Sequence, residues 1–135
     1  MIENIKIRKA ELKDVTIILN LIKELAEYEK LLDKVTANED KLINTIFGKD
    51  KFVNVWLAEI DNEPAGQVIF FRNYSTFLAN PGYYIEDIYV CPQFRGKGIG
   101  KKLLKKVIEL AAEKNYGRVE WCVFCLLYTS PSPRD

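Results

Sequence analysis

Arg95-Gly96-Lys97-Gly98-Ile99-Gly100 sets three glycines at alternate positions ahead of a lysine pair and an apolar helical pattern. Glycine in a helix's first turn costs about 1 kcal/mol relative to alanine, so something must offset it. A helix N-terminus leaves backbone N–H groups unpaired, and the helix dipole adds partial positive charge there. Glycines let those groups converge on a phosphate at close range. Arg95 and Lys101 are placed to add formal charge. One glycine would serve a tight turn that needs positive φ, whereas three favour a pyrophosphate cradle. A Rossmann fingerprint does not fit, because positions 101 and 103 are Lys and Leu. A P-loop does not fit either, because position 95 is Arg and no Ser or Thr follows the Gly-Lys pair.

Other chemistries are excluded by what is missing. The 135 residues contain no histidine, which removes Ser-His-Asp and Cys-His nucleophiles and every histidine metal site. Cys122 and Cys125 make a bare C-x-x-C with no second pair to complete a zinc site, so no metal is expected. With Cys91 they read as buried free thiols in a reducing compartment. Net charge is +1, from 20 basic and 19 acidic residues, so no global field draws the chain to nucleic acid or to a membrane. No apolar run reaches transmembrane length and Met1–Arg8 has no signal-peptide pattern, which makes the cytoplasm the default expectation.

The elements that must hold the loop follow from periodicity. Ile5–Lys9 alternates as a strand does, and Val15, Ile18, Leu19, Ile22, Leu25 and Ala26 form one helix face with Asp14 as its N-cap. Thr36 and Glu39 have capping-box spacing ahead of a second helix that Gly48 stops. Phe52–Ile60 and Ala65–Tyr74 read as a hairpin joined by Asp61-Asn62-Glu63-Pro64. A polar loop containing Asn80-Pro81-Gly82 precedes the strand Tyr83–Val90. After the glycine loop come a helix over Ile99–Lys114 and a strand over Arg118–Val123. The order β-α-α-β-β-β-α-β makes the last two strands a parallel pair, and the fold an α/β (α+β) mixed sheet flanked by helices.

Three motifs in this order carry a family resemblance: LIKELAEYEK (Leu21–Lys30), YYIEDIYV and RGKGIGKKLLKKV. Together they resemble the GNAT N-acetyltransferases, and within them the spermidine/spermine (diamine) acetyltransferase branch with its thialysine-type relatives. The resemblance runs from about Ile5 to Val123. It implies acetyl-CoA as cosubstrate and a small-molecule primary amine, polyamine or thialysine-like, as acceptor. It further implies that the backbone of Ile88, Tyr89 and Val90 holds the acetyl-pantetheine arm, while Arg95, Gly96, Lys97, Gly98, Ile99, Gly100 and Lys101 hold the pyrophosphate. Tyr28, Glu29 and Glu86 match the amine site, and Glu120, Trp121 and Cys122 a further substrate segment.

The chemistry suits these residue types. An alkylamine with a pKa near ~10.4 arrives protonated and needs a carboxylate to attract it and a base to free its lone pair. Glu86, mid-strand beside the loop, is the candidate base, and a backbone N–H near Ile88 the candidate oxyanion donor. Strand alternation sends one of Glu86 and Asp87 to solvent. Lys101, Lys102, Lys105 and Lys106 read as a solvated helix face, with Lys101 the one phosphate neighbour.

After Val123 the resemblance stops. The ending FCLLYTSPSPRD has two of the chain's five prolines in its last five residues. Residues 124–135 are therefore expected to be an irregular, non-native tail on an incomplete 1–123 core, lacking the family's last helix, hairpin and thiolate-protonating tyrosine. The alternative to an active enzyme is then a catalytically dead CoA-binding domain. The branch implies a homodimer for the full-length parent.

Overall fold

Alternating and branched apolar residues form a five-stranded sheet in the computed structural model, which describes residues 4–121. Its strands are β1 (Ile5–Lys9), β2 (Asn54–Ile60), β3 (Glu63–Ser75), β4 (Asn80–Val90) and β5 (Val119–Trp121). They lie side by side in chain order; the first four are antiparallel, and β4 and β5 run parallel. The helices are α1 (Val15–Tyr28), a short α2 (Glu39–Leu42) continued by a π-turn over Ile43–Phe47, and α3 (Ile99–Glu113). The mixed sheet and its helices are those the sequence predicts. Cys122, Val123 and the 124–135 tail lie outside the described residues.

Each face of the sheet carries its own core. On one, Ile99, Leu103 and Val107 of α3 pack on Ala58, Val68, Phe70, Ile85, Ile88 and Val90. On the other, Ile18 and Leu21 of α1, with Ile46, cover Val55, Leu57, Ile69 and Tyr89. The helix stripes and the strand alternation thus serve one purpose, which is to remove these side chains from water at about 25 cal/mol per Å².

Local chemistry departs from the sequence reading in the cap of α2 and in both sheet turns, while Gly48 stops the second helix as expected. Asn38, not Thr36, caps α2, its Oδ1 accepting from the Lys41 N–H at 2.9 Å; Glu39 instead accepts from the Thr16 hydroxyl at 3.1 Å. Gly48 ends the following turn at φ −80°, an ordinary value, and glycine is needed there because a Cβ would meet the Asn44 carbonyl. Asn80-Pro81-Gly82 extends β4 rather than looping, with Asn80 opposite Ser75, so the β3–β4 turn is confined to residues 76–79. The β2–β3 hairpin closes on Asp61 and Asn62 alone, both at positive φ, a primed turn whose twist matches the strands.

Asp14 sits at the N-cap of α1 but makes no capping hydrogen bond. Its two oxygens accept from Arg8 at 2.8 Å, and Oδ2 also accepts from the Glu11 N–H at 2.7 Å. Arg8 donates again to Glu59 at 3.1 Å, tying β1, β2 and the start of α1 together. The hydrogen bonds from Arg8 hold the Asp14 carboxyl below the usual carboxylate range although burial opposes it. Removing this charge leaves Arg8 partly buried and short of a partner.

We expect Asp14→Asn to lose about 2–3 kcal/mol at pH 7, toward the low end for a broken buried pair because Arg8 keeps 20% exposure. A carboxyl with a lowered folded pKa stabilises above its unfolded value near 3.8 and loses that contribution as pH falls through the folded one. The gap between wild type and variant in urea denaturation should therefore narrow in acid. A gap independent of pH would show that the ionised carboxylate is not what holds α1 in place.

Candidate active site

The strand that carries the acidic pair is not regular. Ile69 of β3 faces Asp87, but the next residue, Phe70, faces Ile85, so Glu86 is an extra residue in a β-bulge. The bulge reverses the strand's parity. Tyr83 and Ile85 lie in the α3-side core, and so do Ile88 and Val90, whereas Asp87 pairs with Ile69 of the α1-side core. Without the bulge, Asp87 would share the α3 face with Ile85. As expected, one of the pair goes to solvent: Glu86 is exposed and Asp87 partly buried, with the bulge rather than plain alternation deciding which.

Burial raises the Asp87 pKa to about 6, reinforced by the charges of Glu86 and Glu29. Glu29 ends α1, so the end of that helix meets the bulge of β4. Asp87 is the residue the sequence reading passed over. Its signal was present: the apolar positions 83 and 85 are odd while 88 and 90 are even, which demands one extra residue between them.

Parallel pairing joins Tyr83, Tyr84 and Ile85 to Val119, Glu120 and Trp121, the last of the described residues. The side chains of Ile88 and Val90 are in the core, and Tyr89 donates its hydroxyl proton to Glu24 at 3.1 Å, so only backbone is offered there.

The glycine loop follows the turn Pro92–Phe94. Gly96 and Gly98 adopt φ +83° and +79°, and a Cβ on either would meet nothing within 4 Å. Two of the three glycines are therefore required by backbone conformation, and both border open space. Gly98 is the N-cap of α3 and supplies no side chain, so the first-turn N–H groups are left to an outside acceptor. No acidic residue lies in that turn, and Lys101 and Lys102 stand at the positive end of the helix, where cations are unfavourable unless an anion binds. Ile99 is buried in the core; Lys97 and Lys101 are exposed.

Arg95 turns back from the loop toward β4. Its Nε donates to the Val90 carbonyl at 2.9 Å, and its guanidinium lies over the rings of Tyr28 at 4.9 Å and Tyr89 at 5.6 Å. Its Nη2 is buried without a hydrogen-bond partner, an unusual cost that an anionic ligand would relieve. The structure thus brings Tyr28, Glu29, Glu86, Asp87 and Arg95 to one end of the molecule, at the start of α3.

The β5 residues are differently placed. Glu120 accepts from Asn73 at 2.7 Å and lies 3.4 Å from Arg118, while Trp121 packs against the α3-side core. Cys122 is outside the described residues. Cys91 is buried beneath the start of the loop, where burial lifts its thiol to about 11 and leaves it unreactive.

Comparison with known proteins agrees with this geometry. The acetyltransferase (GNAT) family matches residues 18–126. A Bos taurus thialysine N-epsilon-acetyltransferase is 40% identical over 127 residues, covering 88% of this chain and 74% of its own. A human spermidine/spermine N(1)-acetyltransferase-like protein is 35% identical, covering 78% of this chain and 16% of its own. Among solved structures, a Clostridium acetobutylicum predicted acetyltransferase with acetyl-CoA superposes with a TM-score of 0.71 at 21% identity, over 88% of this chain and 80% of its own. The chain belongs to the GNAT family of acetyltransferases. It is an N-acetyltransferase, and its relatives fit the diamine acetyltransferase branch. Members of this family use acetyl-CoA, and the uncapped helix start, the open glycines and the unpaired Arg95 Nη2 suit its pyrophosphate. Among the described residues no helix is long and apolar enough to cross a membrane.

Asp87 gives the site a measurable cost. Its folded pKa exceeds the unfolded value of 3.8, so the folded state holds the extra proton between about pH 4 and 6 and stability falls as pH rises through that interval. Asp87→Asn should then stabilise the protein at pH 7.5 by on the order of 1–3 kcal/mol and have little effect near pH 4. Thermal melts at the two pH values check this. A variant that is less stable at pH 7.5 would mean that the carboxylate is well solvated or paired.

Proposed function

We propose that this chain transfers an acetyl group from acetyl-CoA to the primary amine of a small cationic molecule of the thialysine or polyamine kind. The observation that carries this reading is the acidic bulge of β4, to which the end of α1 adds Glu29. Acetyl-CoA supplies the thioester. The N–H groups at Gly96–Lys101 and the Arg95 guanidinium would hold its pyrophosphate, and the β4 backbone at Ile88–Val90 its pantetheine arm.

The carboxylates divide the remaining work. Asp87 is held near neutrality by burial and by negative neighbours, so an arriving ammonium ion relieves it and is bound by it. Once paired in this way it is not free to accept a proton. Glu86, exposed at the bulge, keeps contact with water and serves as the base, directly or through one water molecule. The nitrogen lone pair it releases attacks the acetyl carbon while a backbone N–H near Ile88 steadies the oxygen; the C–S bond then breaks, and CoA leaves as a thiolate that takes up the proton the new amide nitrogen sheds. Glu29 and Tyr28 border the amine. Glu120 and Trp121 belong to the further substrate segment in this reading.

The two acids should separate kinetically. Glu86→Gln should lower kcat by about 10²–10⁴ with the KM for amine nearly unchanged, whereas Asp87→Asn should act mainly on KM. Assays with thialysine and spermidine measure both. Unaltered turnover in the Glu86 variant would remove it as the base.

Gly98→Val should abolish the thermal shift given by acetyl-CoA, because only glycine holds φ +79° readily and the added side chain fills the cradle. Lys97→Ala should leave that shift nearly intact. Equal protection of wild type and Gly98→Val would overturn the cradle. Protection of the wild type with no transfer to either amine would leave a CoA-binding domain in place of an enzyme.

A further inference from the structure

The α3 face of the sheet is not wholly covered. At the end far from the glycine loop a cavity of about 620 Å³ opens between the sheet and the last turn of α3. The 15 residues of α3 separate the two ends by roughly 20 Å at 1.5 Å per residue, so this is a separate place on the molecule. Its volume lies within the range of small-molecule sites, about 300–1,000 Å³.

The lining has two parts. Aromatic rings make one: Trp56, Phe70, Tyr83 and Tyr116, with Tyr83 edge-on to Phe70 at 4.8 Å and to Tyr116 at 5.0 Å. Cations make the other. Lys9, Lys51, Arg72 and Lys114 border the cavity, and Glu113 is its one carboxylate. None of the four cations makes an ion pair among the described residues. Lys51 feels this crowding, since burial and the charges of Lys9 and Lys114 lower its pKa. In a chain of net charge +1, this is a marked local excess of one sign.

Neither the packed cores nor the proposed acetyl transfer uses the four cations. Like charges gathered over a partly dry wall repel one another, a cost that an anion offsets. Phe70 and Tyr83 are buried behind the wall, and the partly exposed rings of Trp56 and Tyr116 add a preference for a flat ring, which stacks on them and leaves its charged group to the lysines. We propose that this cavity is a second binding site, for a planar aromatic molecule carrying a phosphate group.

The probe is adenosine monophosphate, titrated in the presence of saturating CoA so that the glycine loop is already filled. The chain has two tryptophans, and Trp56 lines the cavity while Trp121 does not, so the two indole N–H signals in NMR report location. A Trp121→Phe variant assigns them. The expected result is a saturable shift of the Trp56 signal below about 1 mM, weakened about tenfold or more in the double variant Lys51→Glu, Lys114→Glu. Adenosine and inorganic phosphate should each bind more weakly than the nucleotide. An unchanged thermal shift with acetyl-CoA in the double variant verifies its fold. Absence of any Trp56 shift up to about 10 mM, or equal binding by the charge-reversed protein, overturns the site. Adenosine binding as tightly as the monophosphate overturns the role of the cations, and phosphate alone doing so overturns that of the rings.

Discussion

The bulge at Glu86 is the constraint on which the rest of the site depends. A strand that kept strict alternation from Tyr83 to Val90 could not place Ile85 and Ile88 in the same core. One extra residue solves that packing problem and creates the functional one. It puts Asp87 on the opposite face from Ile85, against the end of α1, and sets Glu86 outward at the same level. Packing on one face and a gathering of carboxylates on the other are thus two results of a single inserted residue.

The glycine-loop end rests on a different kind of imbalance. A helix that starts with a glycine cap, no side-chain cap and no acidic residue, but carries Lys101 and Lys102, is electrostatically unfavourable when nothing binds to it. Arg95 adds a buried, unpaired Nη2 to the same neighbourhood. These costs are individually of the order of about 1 kcal/mol, and together they favour an anion strongly without any single dedicated contact. Fixed backbone N–H groups also need no rearrangement when the ligand arrives.

The order of elements, the parallel pairing of β4 with β5 and the uncovered start of α3 were legible from residues 5–121, because periodicity and glycine placement report directly on backbone geometry. The cap of α2 was misread since Thr36 and Asn38 are both competent acceptors, and only the course of the chain decides which meets an N–H three residues on. Asp14 was misread for a related reason. A carboxylate before a helix looks like a cap, and its pairing with Arg8 depends on β1 lying beside the start of α1. The extended β4 shows the limit of composition, because Asn80-Pro81-Gly82 is turn-like yet sits at a sheet position where β3 supplies the partner strand. Asp87 was the substantive omission. Its neighbour Glu86 carried the family pattern, and the parity change between Ile85 and Ile88 signals an inserted residue without telling a carboxylate that burial perturbs from one that water solvates.

The chemistry proposed for the bulge needs α1 held in register with β4, and the structure fixes that helix at both ends. At its start Asp14 is clamped by Arg8, which also holds Glu59 of β2, so the helix cannot rotate without breaking a partly buried charge network. Along its length Glu24 takes the Tyr89 hydroxyl, a bond from helix to strand at the edge of the α1-side core. At its end Tyr28 lies under the Arg95 guanidinium, which is itself tied to the Val90 carbonyl. A cation over an aromatic face is worth about 0.5–2 kcal/mol, enough to restrain one helical turn. The consequence is that the residue able to sense an anion at the glycine loop is the same residue that positions Tyr28 beside Glu29. Any shift of Arg95 toward a bound phosphate would be felt at the amine side of the site, and the two halves of the reaction would then meet through one guanidinium group.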